Sequence, residues 1–397
     1  MGTEKPLLSG RKLFVFEKKT IMKKQIYAFL LASALTCTEG YTADIALYGT
    51  VDLGLLYSKS EYGGAFSDHR KYPDTQSITM KAGGNSGNRF GIQGTEELAV
   101  GYSVEFKLES GFASDTGALG QGGRLFGRES RLTLKTPYGS ISFGRMGGLT
   151  SSSGTYNIFT SNADAMGYCN YIGTYNWVNR SRYDNVITLV TPTAAGLTGY
   201  AQYSFRTNGE EEDHTHRNER YAALGMTYSA GALNMVLVAD TILKATEEKV
   251  DGVWKRAEDA DYDNAWSLGF GINYDFGGFK LILGGQYGKN EQLAYKTSEG
   301  ILRYDGYNVC LGYVSELKTG KLEAKVYYGD YDHSRIKHSS AKTYGAAFMN
   351  TYSITKRTAL YVGAGYYQFD IGARIAEKDG MARTKGFDFT FGLKHKF

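Results

Sequence analysis

From residue 44 to the last residue, apolar and polar side chains alternate with a period of two, and few folds can use such a pattern. In the first stretch Ile45, Leu47, Val51, Leu53 and Leu55 share one parity, while Ala46, Tyr48, Thr50 and Asp52 share the other. A strand sends successive side chains to opposite faces, so this segment carries one apolar and one polar face. The pattern returns over Tyr102–Glu109, Trp266–Tyr274 and Lys321–Tyr328. It is cleanest at the end, where Phe387, Phe389, Phe391, Leu393 and Phe397 oppose Asp388, Thr390, Gly392, Lys394 and Lys396.

Connection lengths alternate as well. Short ones lie near Glu96–Val100, Pro137–Gly139, Thr193–Gly196, Ser229–Gly231, Phe276–Gly278, Lys318–Gly320 and Ile354–Lys356. Long polar ones include Lys59–Thr75, Arg145–Arg180, Asn208–Asn218, Glu247–Tyr262, Asn290–Leu302, His333–Ala341 and Gly372–Arg383. Between them fit about sixteen strands, each near the roughly 9–11 residues that cross a bilayer at a tilt. The expectation is an all-β fold: a transmembrane antiparallel β-barrel with short turns at one end and long loops at the other. A soluble β-sandwich would hide its apolar parity between sheets. Here the charged face persists around the whole array. Tyrosines also gather at strand ends (Tyr57, Tyr102, Tyr203, Tyr274, Tyr313, Tyr366), as amphipathic rings do at membrane interfaces. A mean hydropathy of −0.36, with no long apolar run past the N-terminal segment, excludes a polytopic helical membrane protein.

Residues 1–43 read as targeting sequence. Met22-Lys23-Lys24 is a basic start, Ile26–Thr36 an apolar segment too short to span, and Gly40-Tyr41-Thr42-Ala43 a small-residue exit. The domain reading is therefore 1–21 an upstream extension, 22–43 a signal peptide, and 44–397 one barrel domain. Cleavage after Ala43 or after Gly40 fits. Removing residues 1–43 takes away seven of the 45 basic residues and three of the 41 acidic ones, leaving the signs balanced. Charge thus gives no argument for nucleic acid.

Several pieces in order resemble one family. Leu47-Tyr48-Gly49-Thr50-Val51-Asp52-Leu53-Gly54 resembles the opening strand of Gram-negative general porins. Asn88-Arg89-Phe90-Gly91-Ile92-Gln93-Gly94-Thr95-Glu96-Glu97-Leu98 resembles their second strand and first turn. Leu125-Phe126-Gly127-Arg128 and Gly139–Arg145 look like the fourth and fifth strands. Arg182-Tyr183-Asp184-Asn185 resembles the strand after the constriction loop. Gly392-Leu393-Lys394-His395-Lys396-Phe397 resembles the ending of porins from β-proteobacteria. The resemblance implies a sixteen-stranded homotrimeric diffusion channel of the outer membrane, with its third loop folded into the lumen. It further implies contact with outer-membrane lipid and lipopolysaccharide, and insertion by the barrel assembly machinery, which reads the terminal Phe397. Glu129 and Arg131 depart from the family pattern: their parity relative to Arg128 points them outward, toward lipid or a subunit interface.

No catalytic constellation, metal set or cofactor motif stands out. Five of the six histidines fall in expected loops and His395 lies two residues from the end, and His214-Thr215-His216 reads as solvated. Cys169 and Cys310 allow either a loop-to-wall disulfide or two separate thiols. The informative segment is the long polar and aromatic connection Arg145–Arg180, since loops of this length are usually functional or disordered. Arg89, Arg128 and Arg182 have lumen parity, and Asp164 is the obvious acid of the loop. The expected constriction sets those arginines against Asp164 across a narrow gap, a transverse field that biases ion passage. The alternative for each arginine is a structural pairing with Glu105, Glu109 or Asp52. The expected function is passive diffusion of small hydrophilic solutes and ions with weak anion preference. The alternatives are a porin specific for sugars or organic anions, with Tyr48, Tyr200 and Tyr361 as an aromatic track, or a barrel enzyme or adhesin.

Overall fold

The computed structural model describes residues 44–64, 73–166, 180–257, 260, 263–291, 303–335, 339–375 and 378–397, the backbone alone within 373–381. The leader reading, Cys169, His69 and His338 lie outside the described residues.

In chain order the strands are β1 (Asp44–Gly64), β2 (Thr75–Ala82), β3 (Arg89–Ala99), β4 (Tyr102–Gly111), β5 (Glu129–Thr136), β6 (Gly139–Gly147), β7 (Arg182–Val190), β8 (Leu197–Ser204), β9 (Arg220–Ala230) and β10 (Leu233–Leu243). They continue as β11 (Glu247–Val250), β12 (Val253–Arg256), β13 (Ala265–Asp275), β14 (Lys280–Glu291), β15 (Tyr304–Leu317), β16 (Gly320–His333), β17 (Ser340–Ser353), β18 (Thr358–Ile375) and β19 (Lys378–Lys396). Neighbours pair antiparallel throughout, and β19 returns to β1 from Thr50↔Lys396 to Gly64↔Ala382, closing the barrel. Both β2 and β3 pair with β1 on one side, so together they form a single interrupted wall strand. The wall then has the sixteen strands expected. Closure leaves the described wall without a free strand edge, which a sheet in lipid requires.

Outward parity is apolar, as the alternation predicted. Leu132, Leu268 and Phe391 are each about half exposed on the outer face, and Leu47 more so. Two outward rings of aromatics mark its upper and lower limits from β8 to β18. At the loop end Trp266 packs on Tyr287 and Tyr307 on Tyr328. At the turn end Tyr274, Phe276, Phe279 and Tyr313 form a continuous file, with centroids 4.8 to 5.6 Å apart.

Three boundaries differ from the sequence reading. β18 and β19 stay paired up to Ile375↔Lys378, so Gly372–Arg383 is a tall hairpin rather than a polar loop. The stretch Glu247–Tyr262 contains the separate hairpin β11–β12. Glu129 and Arg131 face inward, 1% and 7% exposed, while Leu132 and Leu134 face out. Arg128 lies before β5 begins, so alternation starts afresh at Glu129, and a one-residue slip turns every side chain to the other face.

The β11–β12 hairpin is clasped by the preceding loop. Arg217 stacks 4.2 Å from the Trp254 ring centroid and pairs with both Asp213 and Glu247 at 2.9 Å. Those hydrogen bonds hold both carboxyls below their ordinary values of 3.8 and 4.5. A depressed carboxyl contributes stability above its ordinary value and loses it as pH falls through the folded one. Hydrogen exchange of residues 247–256, expressed relative to the intrinsic amide rate at each pH, is therefore expected to be flat from neutral pH down to the ordinary carboxyl range and to accelerate below it. Arg217→Ala should accelerate it at every pH. Equal exchange in the variant at pH 7 would remove the clasp from the account.

Candidate pore constriction

Between β6 and β7 the chain turns into the barrel. A short helix there, α1 (Ile158–Ala163), lies against the inner faces of β10, β13 and β14. Why it can lie there is written in the wall. On β13 the outward residues are large, and the inward ones include Gly269 and Gly271. A Cβ on Gly269 would meet the Phe159 ring at 2.6 Å, and one on Gly271 would meet the Ala163 Cβ at 2.6 Å. The inward glycines form a slot into which the apolar side of α1 fits. Phe159, Ile158, Leu149 and Tyr156 then join Val186, Tyr221, Val236 and Val238 in a buried cluster inside the barrel.

Polar anchors fix both sides of this docked segment. Arg180, 7% exposed, donates to Asp240 at 2.7 Å and to Glu291 at 2.8 Å; Thr150 and Ser267 also donate to Asp240, at 2.6 and 2.7 Å. Just past α1, Asp164 pairs with Lys325 of β16 at 2.7 Å, both side chains sealed from solvent at 1% and 0% exposure. Beyond it Ala165 and Met166 pack with Ile282, Val314, Met349 and Tyr361. The described part of the loop thus lines the lumen from β6 round to β18.

What remains facing it is the wall of β3, β4 and β5, and that wall is charged. Arg128 donates to Glu109 at 2.6 Å, and Tyr48 donates to the same carboxylate at 2.8 Å. Lys107 bridges Glu109 and Glu129. Arg131 joins Glu129 to Glu105, and Lys135 ends the ladder on Glu105 at 2.6 Å. Glu129 also accepts the Thr155 backbone N–H of the docked loop, at 3.1 Å. Arg182 hydrogen-bonds Ser153 of the same loop and lies within the fields of Arg128, Arg145, Glu109 and Glu129. Arg89 donates to Ser86 at 2.9 Å and acts on Tyr48 electrostatically. Near the loop end, Arg124 and Arg145 both hold Asp184, at 2.8 and 2.6 Å.

Arg89, Arg128 and Arg182 are therefore brought to one side of the lumen. Asp164 is not set open against them: its carboxylate is spent on Lys325. The acids within reach of the arginines are Glu109 and Glu129. Sequence reasoning missed the Arg180 anchor, since nothing in a period-2 pattern tells which loop residue returns to the wall. Alternation over Lys321–Tyr328 puts Lys325 on the polar face of its strand but names no partner for it. Among the described residues no group of His, Cys, Asp and Glu has the arrangement of a metal site. Cys310 is a buried free thiol.

A sequence profile of the Gram-negative porin family matches residues 28–372. An outer membrane porin protein of Bordetella pertussis is 31% identical over 312 residues, which cover 75% of this chain and 76% of that one. Among solved structures, an anion-selective porin from Comamonas acidovorans superposes with a TM-score of 0.61 at 20% identity, covering 90% of this chain and all of that one. The trimer form of OmpT from Vibrio cholerae does so with a TM-score of 0.55 at 14% identity, again over 90% of this chain and all of that one.

Proposed function

Since the chain belongs to the Gram-negative porin family, we infer the character of its passage as well as its existence. It is a passive, multi-pass β-barrel channel of the outer membrane, through which small hydrophilic solutes and ions diffuse, and we read it as weakly anion-preferring. The observation that carries the preference is the charged wall opposite the docked loop. There Arg89, Lys107, Arg128, Arg131 and Arg182 outnumber Glu105, Glu109 and Glu129. The acidic pole first assigned to Asp164 passes to Glu109 and Glu129. Guanidinium groups stay charged at any working pH, so the excess is permanent. No catalytic step belongs to this reading: the lumen carboxylates described above are committed to arginines and lysines, not poised as acid and base.

A planar-bilayer measurement in a KCl gradient tests it. One unit charge about 6 Å from a passing ion is worth about 0.7 kcal/mol at the dielectric of water, which is roughly a threefold change in that ion's partition before screening. The reversal potential should lie on the chloride side and move toward zero as salt rises. Arg128→Ala and Arg182→Ala should each move it toward potassium. Potassium selectivity of the unaltered channel, with both variants silent, would sink the assignment.

We also propose a homotrimer. From β2 to β7 no outward Tyr or Trp stands at the loop ends among the described residues, while Ile78, Met80, Ile92, Leu132 and Phe143 form an exposed apolar surface. Aromatic belts mark contact with lipid headgroups, so a sector without one suits a second copy of the chain. Native mass spectrometry in mild detergent should give three copies, and a monomer alone would refute it. The leader reading has an equally direct check. Intact mass of outer-membrane material should place the N-terminus at Asp44 or Tyr41, and retention of Met1 would overturn it.

A further inference from the structure

Opposite β1 the second wall strand should run unbroken, yet residues 83–88 leave it. β2 pairs up to Leu53↔Ala82, and β3 resumes at Thr50↔Arg89, so residues 83–88 stand against Val51 and Asp52 alone. An ordinary bulge adds one residue; this excursion is larger and folds inward, because the group that holds it points inward. Asp52 is fully buried and lies on the lumen parity of β1. Its carboxylate accepts the backbone N–H groups of Gly84 at 3.0 Å, Asn85 at 2.9 Å and Ser86 at 2.6 Å. Its own backbone carbonyl accepts from Gly83 at 2.8 Å. The backbone N–H groups of Gly83, Gly84, Asn85 and Ser86 are thereby satisfied without a ladder, which is what a segment leaving a sheet needs.

Two contacts place the excursion at the constriction. Tyr361 donates its hydroxyl to Asp52 at 2.8 Å and packs in the cluster that holds Ala165 and Met166 of the docked loop. On the other side Arg89 donates to Ser86 at 2.9 Å. Asn85 reaches over the closing seam, where it donates to Thr351 at 3.3 Å and accepts from Lys394.

We propose that residues 83–88 are a second jaw of the constriction, a fixed inward lip set by Asp52, and that Asn85 and Ser86 are selectivity-determining groups. The lip offers an amide and a hydroxyl between Arg89 and Lys394. It therefore favours small anions that can also accept or donate hydrogen bonds, such as hydroxylated carboxylates, over a bare halide. Asp52 is a positioning residue: it touches no solute and sets where the lip stands. This rests on the channel reading above.

The test places a charge and a thiol on the lip. Asn85→Asp should move the reversal potential toward potassium by roughly twofold in permeability ratio, the screened effect of one nearby unit charge. Asn85→Cys should lose conductance when a charged methanethiosulfonate reagent is added to the open channel, while the parent protein, carrying its own cysteines, does not respond. If Asn85→Asp fails to insert, the cysteine variant decides alone. An unreactive Asn85→Cys, or an Asn85→Asp channel with the parent's reversal potential, would overturn the second jaw. A parent that conducts and responds to Arg182→Ala in the same experiment would leave the channel reading intact. A parent that does not conduct would remove both.

Discussion

Gly269→Leu is expected to narrow the channel: pushed off the wall toward the middle of the lumen, α1 should exclude neutral polymers that the parent admits, and single-channel conductance should fall if the narrowest section controls flow. The argument is steric. A Cβ at position 269 already falls 2.6 Å from the Phe159 ring, closer than any real carbon contact. A leucine there cannot share the slot with α1, and overpacking of this kind costs about 1–3 kcal/mol. The wall strand is held by ladders on both sides, to β10 and β14, so it is the loop that gives way. Arg180 and the Asp164–Lys325 pair keep the loop in the lumen, so a displaced rather than expelled loop is foreseen. Gly285→Leu is the matched control. Its Cβ would crowd Phe270 at 2.5 Å on the outward face, and it should leave the polymer cut-off alone. Equal cut-offs for the Gly269 and Gly285 variants would show that α1 does not bound the passage.

The same residues show what a sequence can and cannot disclose here. Lipid outside and water inside give the two faces of each strand opposite demands, so period-2 alternation survives along the chain and the barrel can be read directly. The inward position of the long loop was implied by the resemblance, while its length marked it only as a segment of interest. Its seat was half legible: Gly269 and Gly271 appear in the alternating pattern as small inward residues, but nothing marks them as the slot for Phe159 and Ala163. Pairings between distant residues were not legible. Asp164 was read as an open acid, because finding Lys325 requires knowing the loop's path across the barrel. Arg128 was legible as inward, and that success misplaced Glu129 and Arg131, since a single register step separates loop from strand. The excursion at residues 83–88 was not anticipated. Only the inward parity of Asp52 hinted at it, and parity does not name a partner.

Deleting Phe397 is expected to abolish accumulation in the outer membrane while costing the refolded barrel little. Phe397 is the last residue of the chain, and its backbone exchanges two hydrogen bonds with Gly49, each 3.1 Å, on the first strand. Its ring lies over Gly49, where a Cβ would fall 2.2 Å from the ring. An aromatic covering a cross-strand glycine restores packing that the glycine lacks, and such pairs are worth about 0.2–1 kcal/mol. Against β19's ladder from Lys396 to Ala382 that loss is small, so the truncated chain should refold in detergent nearly as well as the parent. In cells the closing edge must be delivered before it can pair, and an unpaired edge in lipid is not tolerated. We propose that the terminal ring serves that delivery step, and Gly49→Leu separates delivery from packing. It keeps Phe397 but denies the ring its seat, so it should assemble in cells and lose only seam stability. Normal assembly of the Phe397 deletion would end the delivery proposal. Failure of Gly49→Leu to assemble, matched by an equal failure to refold in detergent, would shift the role of Phe397 to the seam itself.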